Sequence, residues 1–316
     1  APARATGLLD EVGIRDPQGA MRAFPHEFSG GMRQRVMIAM ALINEPKLLI
    51  ADEPTTALDV TIQAQILKLI ADLQQKRDIG VLLISHDLAV VSDIADQIVV
   101  MEQGKVVEQG SPQAIFDNAQ HPYTQKLLAA IPSGQRTADA VAADPLIRIH
   151  QLKTWFTSNE GAAPVKAVDD VSLEIHRGEV LGLVGESGSG KSTLGRSLLR
   201  LVPLTGGQID FDGTTLSALQ GKTLKQFRHR MQMIFQDPYA SLNPRMTVYD
   251  TLAEPLLLHN LVSKGGLDQA IRALMDNVGL AQAFVRKSPH EFSGGQRQRL
   301  AIGRALATRT EFIVAD

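Results

Sequence analysis

The order of apolar and polar positions along the chain predicts alternating helices and strands. Three short unbroken apolar runs, Leu48–Ala51, Val81–Ile84 and Val180–Val184, suit parallel strands that are covered on both faces. The run at residues 171–175 alternates instead, as a half-buried antiparallel strand does, and Asp212–Gly213 is a turn signal. An amphipathic helix between the first two runs is predicted by the spacing of Ile62, Ile66, Leu69, Ile70 and Leu73.

An eleven-residue block occurs twice, at Pro25–Arg35 and Pro289–Arg299, an offset of 289 − 25 = 264 residues. The offset holds to the last residue, since Asp52 corresponds to Asp316. A block of this length does not recur by chance, and the period suits a duplicated domain rather than a solenoid. We therefore expect two partial copies, and we interpret both ends of the chain as cut points.

The predicted boundary between the copies lies at residues 132–146, where large apolar side chains are few. We interpret this stretch as a linker, with a helical surface segment as the alternative because its alanines permit a helix. Residues 1–131 would then be the back of a first domain, and residues 147–316 the front of a second one.

Composition excludes several classes of protein and site. The 316 residues include no cysteine, so disulfides, thiolate metal sites and cysteine nucleophiles are absent, which fits a reducing cytosol. The net charge of −2 argues weakly against a general nucleic-acid binder. No apolar run approaches the roughly 20 residues that span a bilayer, and 44% hydrophobic residues suit a folded globular protein.

Residues 185–192 match the phosphate-binding pattern G-x-x-x-x-G-K-[ST] and follow one of the apolar runs. Glycines let backbone N–H groups approach phosphate oxygens, and a helix N-terminus adds partial positive charge. Lys191 would contact the β and γ phosphates, and the Ser192 hydroxyl would bind Mg²⁺. A merely flexible turn is the alternative. The candidate ATP-binding residues here are Gly185, Glu186, Ser187, Gly188, Ser189, Gly190, Lys191, Ser192 and Thr193.

Two acids, Asp52 and Glu53, follow the apolar run at Leu48–Ala51. Ligands bind at the carboxyl ends of the strands in open α/β sheets. Asp52 is therefore a candidate for binding Mg²⁺ or its waters, and Glu53 for the general base that polarises an attacking water. Two exposed acids that cap the next helix are the alternative for a lone pair of this kind.

Three further motifs precede likely helices or follow a strand. Ser85–Asp87 cannot form a hydrolase triad, because three consecutive residues cannot converge on one substrate atom. Ser29–Gly31 and Ser293–Gly295 could each donate hydrogen bonds to an anion, or merely cap a helix. Their recurrence beside the same Arg-Gln-Arg favours the functional interpretation.

Together these motifs resemble the ATP-binding cassette (ABC) family, and the resemblance covers nearly the whole chain. It implies a P-loop NTPase α/β fold, with a parallel sheet core, an antiparallel β subdomain and a helical signature subdomain. It also implies ATP and Mg²⁺ as cofactors, and ATP hydrolysis. It assigns Walker A to residues 185–192 and Walker B to Asp52, Glu53 and Asp316. The two signature motifs are Ser29, Gly30 and Gly31, and Ser293, Gly294, Gly295 and Gln296. The remaining roles are a D-loop at Ala57–Asp59 with Asp59, the switch histidine at His86, the Q-loop at Gln236, and adenine stacking at Phe156 or, second, Trp155. The resemblance assigns metal binding to Ser192, Gln236, Asp52 and Asp316.

Finer motifs resemble the ATPases of dipeptide and oligopeptide importers. Residues 26–41 and His121–Thr124 resemble the first ATPase of that branch, and Gln236–Arg245 resemble the second. The presence of both sets of motifs on one chain resembles the fused ATPases of glutathione-type importers. Met32 stands where most signatures have glutamine and cannot make the same hydrogen bonds. The iron–sulfur centre of some separate first ATPases is excluded here by the lack of cysteine.

In this family two domains pair head to tail, so that each ATP lies between one Walker A and the opposite signature. The chain has neither site complete, and the function therefore belongs to a longer parent. The resemblance implies two membrane permease subunits and a solute-binding protein as partners, no nucleic acid, and a peripheral location on the cytoplasmic face of the bacterial inner membrane. The alternatives are a soluble tandem ABC protein acting on ribosomes or DNA, and a non-catalytic nucleotide-gated scaffold.

Overall fold

The computed structural model describes residues 2–56, 58–131, 144–157 and 163–316. It divides into two compact units, Ala1–Thr137 and Ala138–Asp316. Most of the predicted linker, residues 132–143, lies outside the described residues, and so does Ala57 of the D-loop. The first strand of the second unit begins at Pro145, inside the last two residues of the predicted linker.

The first unit alternates helices and strands as the apolar pattern predicts. Its elements in chain order are α1 (Pro2–Glu11), α2 (Pro17–Ala20), α3 (Gly30–Leu42), β1 (Leu48–Asp52), α4 (Val60–Arg77), β2 (Gly80–Ile84), α5 (Leu88–Ile94), β3 (Ile98–Glu102), β4 (Lys105–Gly110), α6 (Pro112–Asn118) and α7 (Pro122–Ala129), with a 3₁₀ turn at Pro25–Glu27. Strands β1 and β2 are parallel, and β3 and β4 are antiparallel.

One face of the β1–β2 pair is buried against helices. Leu49 and Ala51 of β1 join a core that includes Ile66, Ile70 and Leu73 of α4, which confirms the predicted helical face. The expectation that both faces are covered is wrong for this unit, because Leu48 and Ile50 are 54% and 59% exposed. Strand side chains alternate between the two faces, and among the described residues of this unit the second face has no helix over it.

The second unit combines an antiparallel sheet, a short parallel pair and a helical region. Its elements are β5 (Pro145–Phe156), β6 (Val165–His176), α8 (Lys191–Leu198), β7 (Gly206–Phe211), β8 (Thr214–Thr215), α9 (Gly221–Phe227), β9 (Met231–Ile234), α10 (Pro238–Ser241), α11 (Val248–Leu258), α12 (Leu267–Asn277), α13 (Gly294–Leu306) and β10 (Phe312–Ala315), with 3₁₀ turns at Leu216–Ala218, Arg228–Arg230, Lys264–Gly266, Gln282–Phe284 and Pro289–Glu291.

The antiparallel sheet has the strand order β6–β5–β7–β8, and β9 and β10 form the parallel pair. The alternating run at residues 171–175 lies in β6, which pairs antiparallel with β5 as predicted. Asp212 and Gly213 form the two-residue turn between β7 and β8, both with positive φ (51° and 76°), which is typical of a type I′ hairpin. A second core surrounds α11, α12 and α13.

The apolar run Val180–Val184 does not form the predicted parallel strand. It has no strand assignment, and Val180 and Val184 are 79% and 93% exposed. A strand needs a neighbour to satisfy its backbone hydrogen bonds. Among the described residues of the second unit, the parallel strands are only β9 and β10, and they pair with each other. The composition of this run favours a strand, but no strand in the described part of the unit pairs with it.

An ion-pair network holds the antiparallel sheet to the parallel pair. Arg177, just after β6, donates to Asp212 (2.7 Å) and to Glu311 (3.0 Å), which immediately precedes β10. Arg230, just before β9, also donates to both carboxylates, and its guanidinium lies over the Phe211 ring. Hydrogen bonds from Arg230 and then Arg177 lower the pKa of both Asp212 and Glu311.

These lowered pKa values predict how stability depends on pH. A carboxylate with a lower pKa in the folded state stabilises the fold above its unfolded pKa, and the contribution is lost as pH falls through the folded pKa. Glu311→Gln should therefore cost about 1 kcal/mol at neutral pH, after allowance for partial solvent exposure. The cost should shrink below about pH 4. Urea unfolding at the two pH values measures it.

Glu174→Gln is the matched control, because Glu174 has a single exposed partner, Arg148, at 3.0 Å. Exposed isolated pairs contribute little to stability. Equal destabilisation by the two substitutions at neutral pH would contradict a special contribution from the network.

Candidate nucleotide-binding and hydrolysis sites

The phosphate loop of the second unit ends where α8 begins. Gly190 is the residue before the helix, with φ at 98°, and a Cβ built there would lie 2.1 Å from the Ala167 carbonyl oxygen of β6. Only glycine combines this backbone conformation with such a close approach. The phosphate-binding pattern therefore requires glycine at position 190 for a steric reason as well as a chemical one.

The Lys191 side chain donates hydrogen bonds to the backbone of its own loop. Its Nζ donates to the carbonyl oxygens of Gly185 (2.6 Å) and Glu186 (2.7 Å), and the Ser189 N–H also donates to the Glu186 carbonyl. The ammonium group therefore lies at the centre of the loop. A loop curled around a cation at the N-terminus of a helix is arranged to receive phosphate.

A hydroxyl and a carboxylate meet beside this loop. Ser192, the second residue of α8, donates through Oγ to Asp316 Oδ1 at 2.7 Å. Asp316 follows β10, and its N–H donates to the Ile234 carbonyl at the end of β9. Gln236 comes two residues after β9, so these elements bring Ser192, Asp316 and the Gln236 segment to one edge of the parallel pair.

The two candidate adenine-stacking residues differ in their availability. The Trp155 indole N–H donates to Asp169 Oδ1 (3.1 Å), and the Lys166 ammonium lies 4.7 Å from the centre of its ring. Phe156, at the end of β5, is 43% exposed and pairs with Val165 across the sheet. The Trp155 ring is already engaged, which favours Phe156.

In the first unit, the structure brings Glu53 and His86 together. Glu53 Oε1 lies 3.0 Å from His86 Nδ1, although the two residues are 33 positions apart. Glu53 follows β1 with φ at 45°, and its N–H donates to the Ile84 carbonyl at the end of β2. The ends of two neighbouring parallel strands therefore place the carboxylate and the imidazole at one point. Asp52 is the last residue of β1, in register with Ile84.

Thr56 is a member of this site that the sequence patterns did not single out. Its hydroxyl donates to Glu53 Oε2 at 2.8 Å. This bond, followed by the contact with His86, lowers the pKa of Glu53 and keeps the carboxylate ionised at neutral pH. The signal available in the sequence was its position, three residues after the glutamate in a turn.

The first-unit acids do not cap the following helix. Asp59 does so instead, since its carboxylate accepts the Ile62 N–H (2.9 Å) at the start of α4. The alternative interpretation of Asp52 and Glu53 as a cap is therefore wrong.

The two signature motifs have the same helix-start geometry but differ in one hydrogen bond. Ser29 caps α3 by accepting the Met32 N–H (3.3 Å), and Ser293 caps α13 by accepting the Gln296 N–H (3.4 Å). The Gln296 side chain also accepts the Ser293 N–H (3.1 Å) and so completes a capping box. Met32 has no polar atom for that second bond, as the sequence implied. The glycines of both motifs form the first turns of these helices.

A further pair of contacts repeats in both units. Arg35 of α3 donates to the Val12 carbonyl (2.6 Å), and Arg299 of α13 donates to the Gly279 carbonyl (3.0 Å). Gly13 and Gly279 have positive φ, and a Cβ at either would lie within 3 Å of the arginine Nη1. In each unit, an arginine of the signature helix therefore donates a hydrogen bond to the turn that precedes that helix.

A hydroxyl and a carboxylate beside the phosphate loop are the candidate metal ligands of the second unit. Across the ranges that the structure describes, no group of three or more His, Asp or Glu side chains is arranged to hold a metal ion. The Ser192 hydroxyl and the Asp316 carboxylate are nonetheless the hard oxygen donors that Mg²⁺ takes, and Mg²⁺ usually keeps several waters and binds through one or two carboxylates plus phosphates. The residues present therefore fit a nucleotide-bound Mg²⁺.

Residues 1–56 and 168–316 match the ABC transporter family. The chain belongs to that family. Residues 107–153 also match the C-terminal region of oligopeptide/dipeptide transporters, a match that includes His121–Thr124. The predicted ABC ATPase fold is thereby confirmed.

Curated relatives are nearly half identical to this ABC protein over the aligned residues. It is 47% identical to the glutathione import ATP-binding protein GsiA of Escherichia coli K12, over 100% of this chain and 56% of that protein. It is 46% identical to the peptidoglycan transport ATP-binding protein YejF of Agrobacterium fabrum, over 99% of this chain and 58% of that protein. The chain thus spans little more than half the length of these relatives.

A solved structure shows the same fold. The dimeric structure of MJ0796, a bacterial ABC transporter cassette, matches with a TM-score of 0.50 at 28% identity, over 54% of this chain and 73% of that chain. A second structure of that cassette is described as a post-hydrolysis state bound to ADP and Pi. Among the described residues, every helix is too short or too polar to cross a membrane.

Proposed function

We propose that this chain is part of an ATP-hydrolysing subunit that energises the import of peptides, of the di- and oligopeptide or glutathione class, through a membrane permease. One observation carries the proposal: each unit brings together residues that the family resemblance assigns to a different part of a hydrolytic site. The second unit has the phosphate loop with Ser192 on Asp316, and the first has Glu53 on His86. Peptide import rests on the relatives and on the transporter C-terminal region.

The residues divide the work as follows. Backbone N–H groups of residues 185–193 and the Lys191 ammonium bind the phosphates, and Phe156 stacks on the adenine. Mg²⁺, when bound with the nucleotide, neutralises charge that develops on the phosphates. Ser192 and Asp316 hold it, with Gln236 contributing, and Asp52 has the same role in the other domain. This division is what the Ser192–Asp316 contact supports.

Glu53 accepts a proton from the attacking water, and His86 contacts the γ phosphate. The Glu53 carboxylate is ionised at neutral pH and can accept a hydrogen bond from that water, while its lowered pKa makes it a weaker base than an ordinary glutamate. In the complete protein the two domains pair head to tail, and the signature residues at Ser29–Gly31 and Ser293–Gly295 contact the nucleotide bound by the opposite domain. Asp59 belongs to the D-loop beside that junction.

The proposed partners are two permease subunits and a solute-binding protein, with the protein peripheral on the cytoplasmic face of the inner membrane. We expect the segment after Gln236 to contact the permease, because Tyr239 is 62% exposed on α10. Photo-crosslinkers placed at Tyr239 and Tyr249 of a full-length protein containing this chain should capture a permease cytoplasmic loop. Capture of ribosomal proteins or DNA instead would contradict the import role and favour a tandem ABC factor.

A further inference from the structure

A buried arginine in the second unit has an unusual set of partners. Arg297, in the first turn of α13, is 7% exposed. Its guanidinium carbon lies 3.4 Å from the centre of the Tyr239 ring, and Nη2 donates to the Tyr239 hydroxyl. Its Nε has no hydrogen-bond partner among the described residues. The Tyr239 side chain therefore supplies both of the contacts that compensate a largely desolvated charge.

Both members of this contact lie within one turn of a residue with a proposed nucleotide-linked role. Tyr239 is three residues after Gln236, and its N–H is held by the Asp237 carboxylate at 2.7 Å. Arg297 follows Ser293 by four residues, and its N–H donates to the Ser293 carbonyl at 3.0 Å. Short hydrogen-bonded segments therefore connect Gln236 to Tyr239 and Arg297 to Ser293.

A second contact joins the same two helices further along. Arg304, in the last turn of α13, donates through Nη1 to the Ser241 carbonyl of α10 at 2.6 Å. Burial lowers the pKa of Arg304, so this guanidinium is also partly desolvated. With two attachments, α13 cannot shift relative to α10 without breaking a buried polar contact.

The repeat keeps one of these two arginines and replaces the other. The residue of α3 that corresponds to Arg297 is Arg33, which is exposed, and the one that corresponds to Arg304 is Met40, which is 67% exposed. Methionine cannot donate the hydrogen bond that Arg304 gives to Ser241. The first unit therefore has no arginine that could repeat the bond from Arg304 to Ser241.

We propose that Tyr239 and Arg297 are a positioning pair that transmits displacement of the Gln236 segment to the signature serine Ser293. The proposal deepens the ATPase function and rests on it for the nucleotide-dependent step. In this proposal a displacement of the Gln236 segment on nucleotide binding moves Tyr239 with α10, and Arg297 follows because the Tyr239 ring and hydroxyl are its two compensating contacts. Ser293 then moves with the first turn of α13. In this proposal Tyr239 and Arg297 act through Gln236 and Ser293, and neither needs a contact of its own with the nucleotide.

The first test needs no nucleotide. Amide hydrogen exchange in Ser293–Arg297 is measured for Arg297→Met, Tyr239→Leu and the double variant. Each single change should speed exchange about tenfold, because it removes a desolvated cation–π contact and a charged hydrogen bond. The double variant should add little to either, as expected for two residues that act through one contact. Independent, additive effects would overturn the proposal.

The second test adds MgATP to the same chain. In the wild type, exchange should slow both in the phosphate loop at 185–193 and in the first turn of α13. In Arg297→Met the phosphate loop should respond as before, and the response of α13 should be lost. Tyr239→Phe, which keeps the ring and removes only the hydroxyl, should weaken that response while preserving the fold. Arg33→Met, at the exposed corresponding position, should change neither.

The outcomes separate this proposal from the function on which it rests. A phosphate loop that does not respond to MgATP in the wild type would contradict nucleotide binding, and the nucleotide-free double-variant comparison would still decide the Tyr239–Arg297 link. A normal response of α13 in folded Arg297→Met would overturn the link while leaving nucleotide binding intact.

Discussion

Replacing Glu53 by glutamine in a full-length protein that contains this chain should slow ATP turnover about 10²- to 10⁴-fold, the usual loss for a general base. Glutamine keeps the size of the side chain and can still bond the Thr56 hydroxyl through its carbonyl oxygen. It cannot accept a proton from water. Nucleotide affinity should stay within about twofold, because the phosphate contacts belong to other residues.

The measurements are steady-state phosphate release and equilibrium binding of a fluorescent ATP analogue. Thr56→Val is the informative companion, because it removes the hydroxyl that is the largest cause of the lowered pKa of Glu53 and leaves the carboxylate in place. Its rate should fall much less than that of Glu53→Gln. Turnover of Glu53→Gln within twofold of the wild type would remove Glu53 from the role of general base.

How far the sequence predicts this structure depends on whether a feature is local. The helical face of α4 and the Asp212–Gly213 turn were predicted correctly, because residue spacing and turn chemistry act over a few positions. The phosphate loop has the same local character, because its glycines and the start of α8 lie within a few residues of each other.

Strand formation is not local, and here the prediction was wrong. Val180–Val184 has the composition of a buried parallel strand, yet its side chains are exposed, because a strand exists only where another strand pairs with it. The run Leu48–Ala51 does pair, with Gly80–Ile84, and it forms β1. The two runs look alike in sequence, and the difference between them lies in their neighbours.

Contacts between distant residues were also beyond the sequence. Thr56 joins the Glu53 site only because Glu53 adopts a left-handed backbone that turns the chain back on itself. Arg297 and Tyr239 are 58 positions apart, and no periodicity links them. The motifs predicted which residues have a chemical role, and the structure was needed to find the side chains that contact them.

Replacing Lys191 by alanine should weaken binding of MgATP to this chain roughly 10- to 100-fold, which corresponds to losing a hydrogen bond from a charged donor to phosphate. The loss has a second source in the structure. Lys191 also holds the Gly185 and Glu186 carbonyls, so the alanine variant loses the bonds that shape the loop before nucleotide arrives.

Titration with a fluorescent ATP analogue measures the affinity, and Lys264→Ala, an exposed lysine in a 3₁₀ turn, is the control for the lost charge. Because Lys191 is only half-buried and is not part of the hydrophobic core, the variant should unfold at nearly the same temperature as the wild type. Equal affinity of Lys191→Ala and the wild type would count against residues 185–192 as the phosphate site. A large loss in Lys264→Ala as well would show that net charge, and not the position of Lys191 in the loop, determines binding.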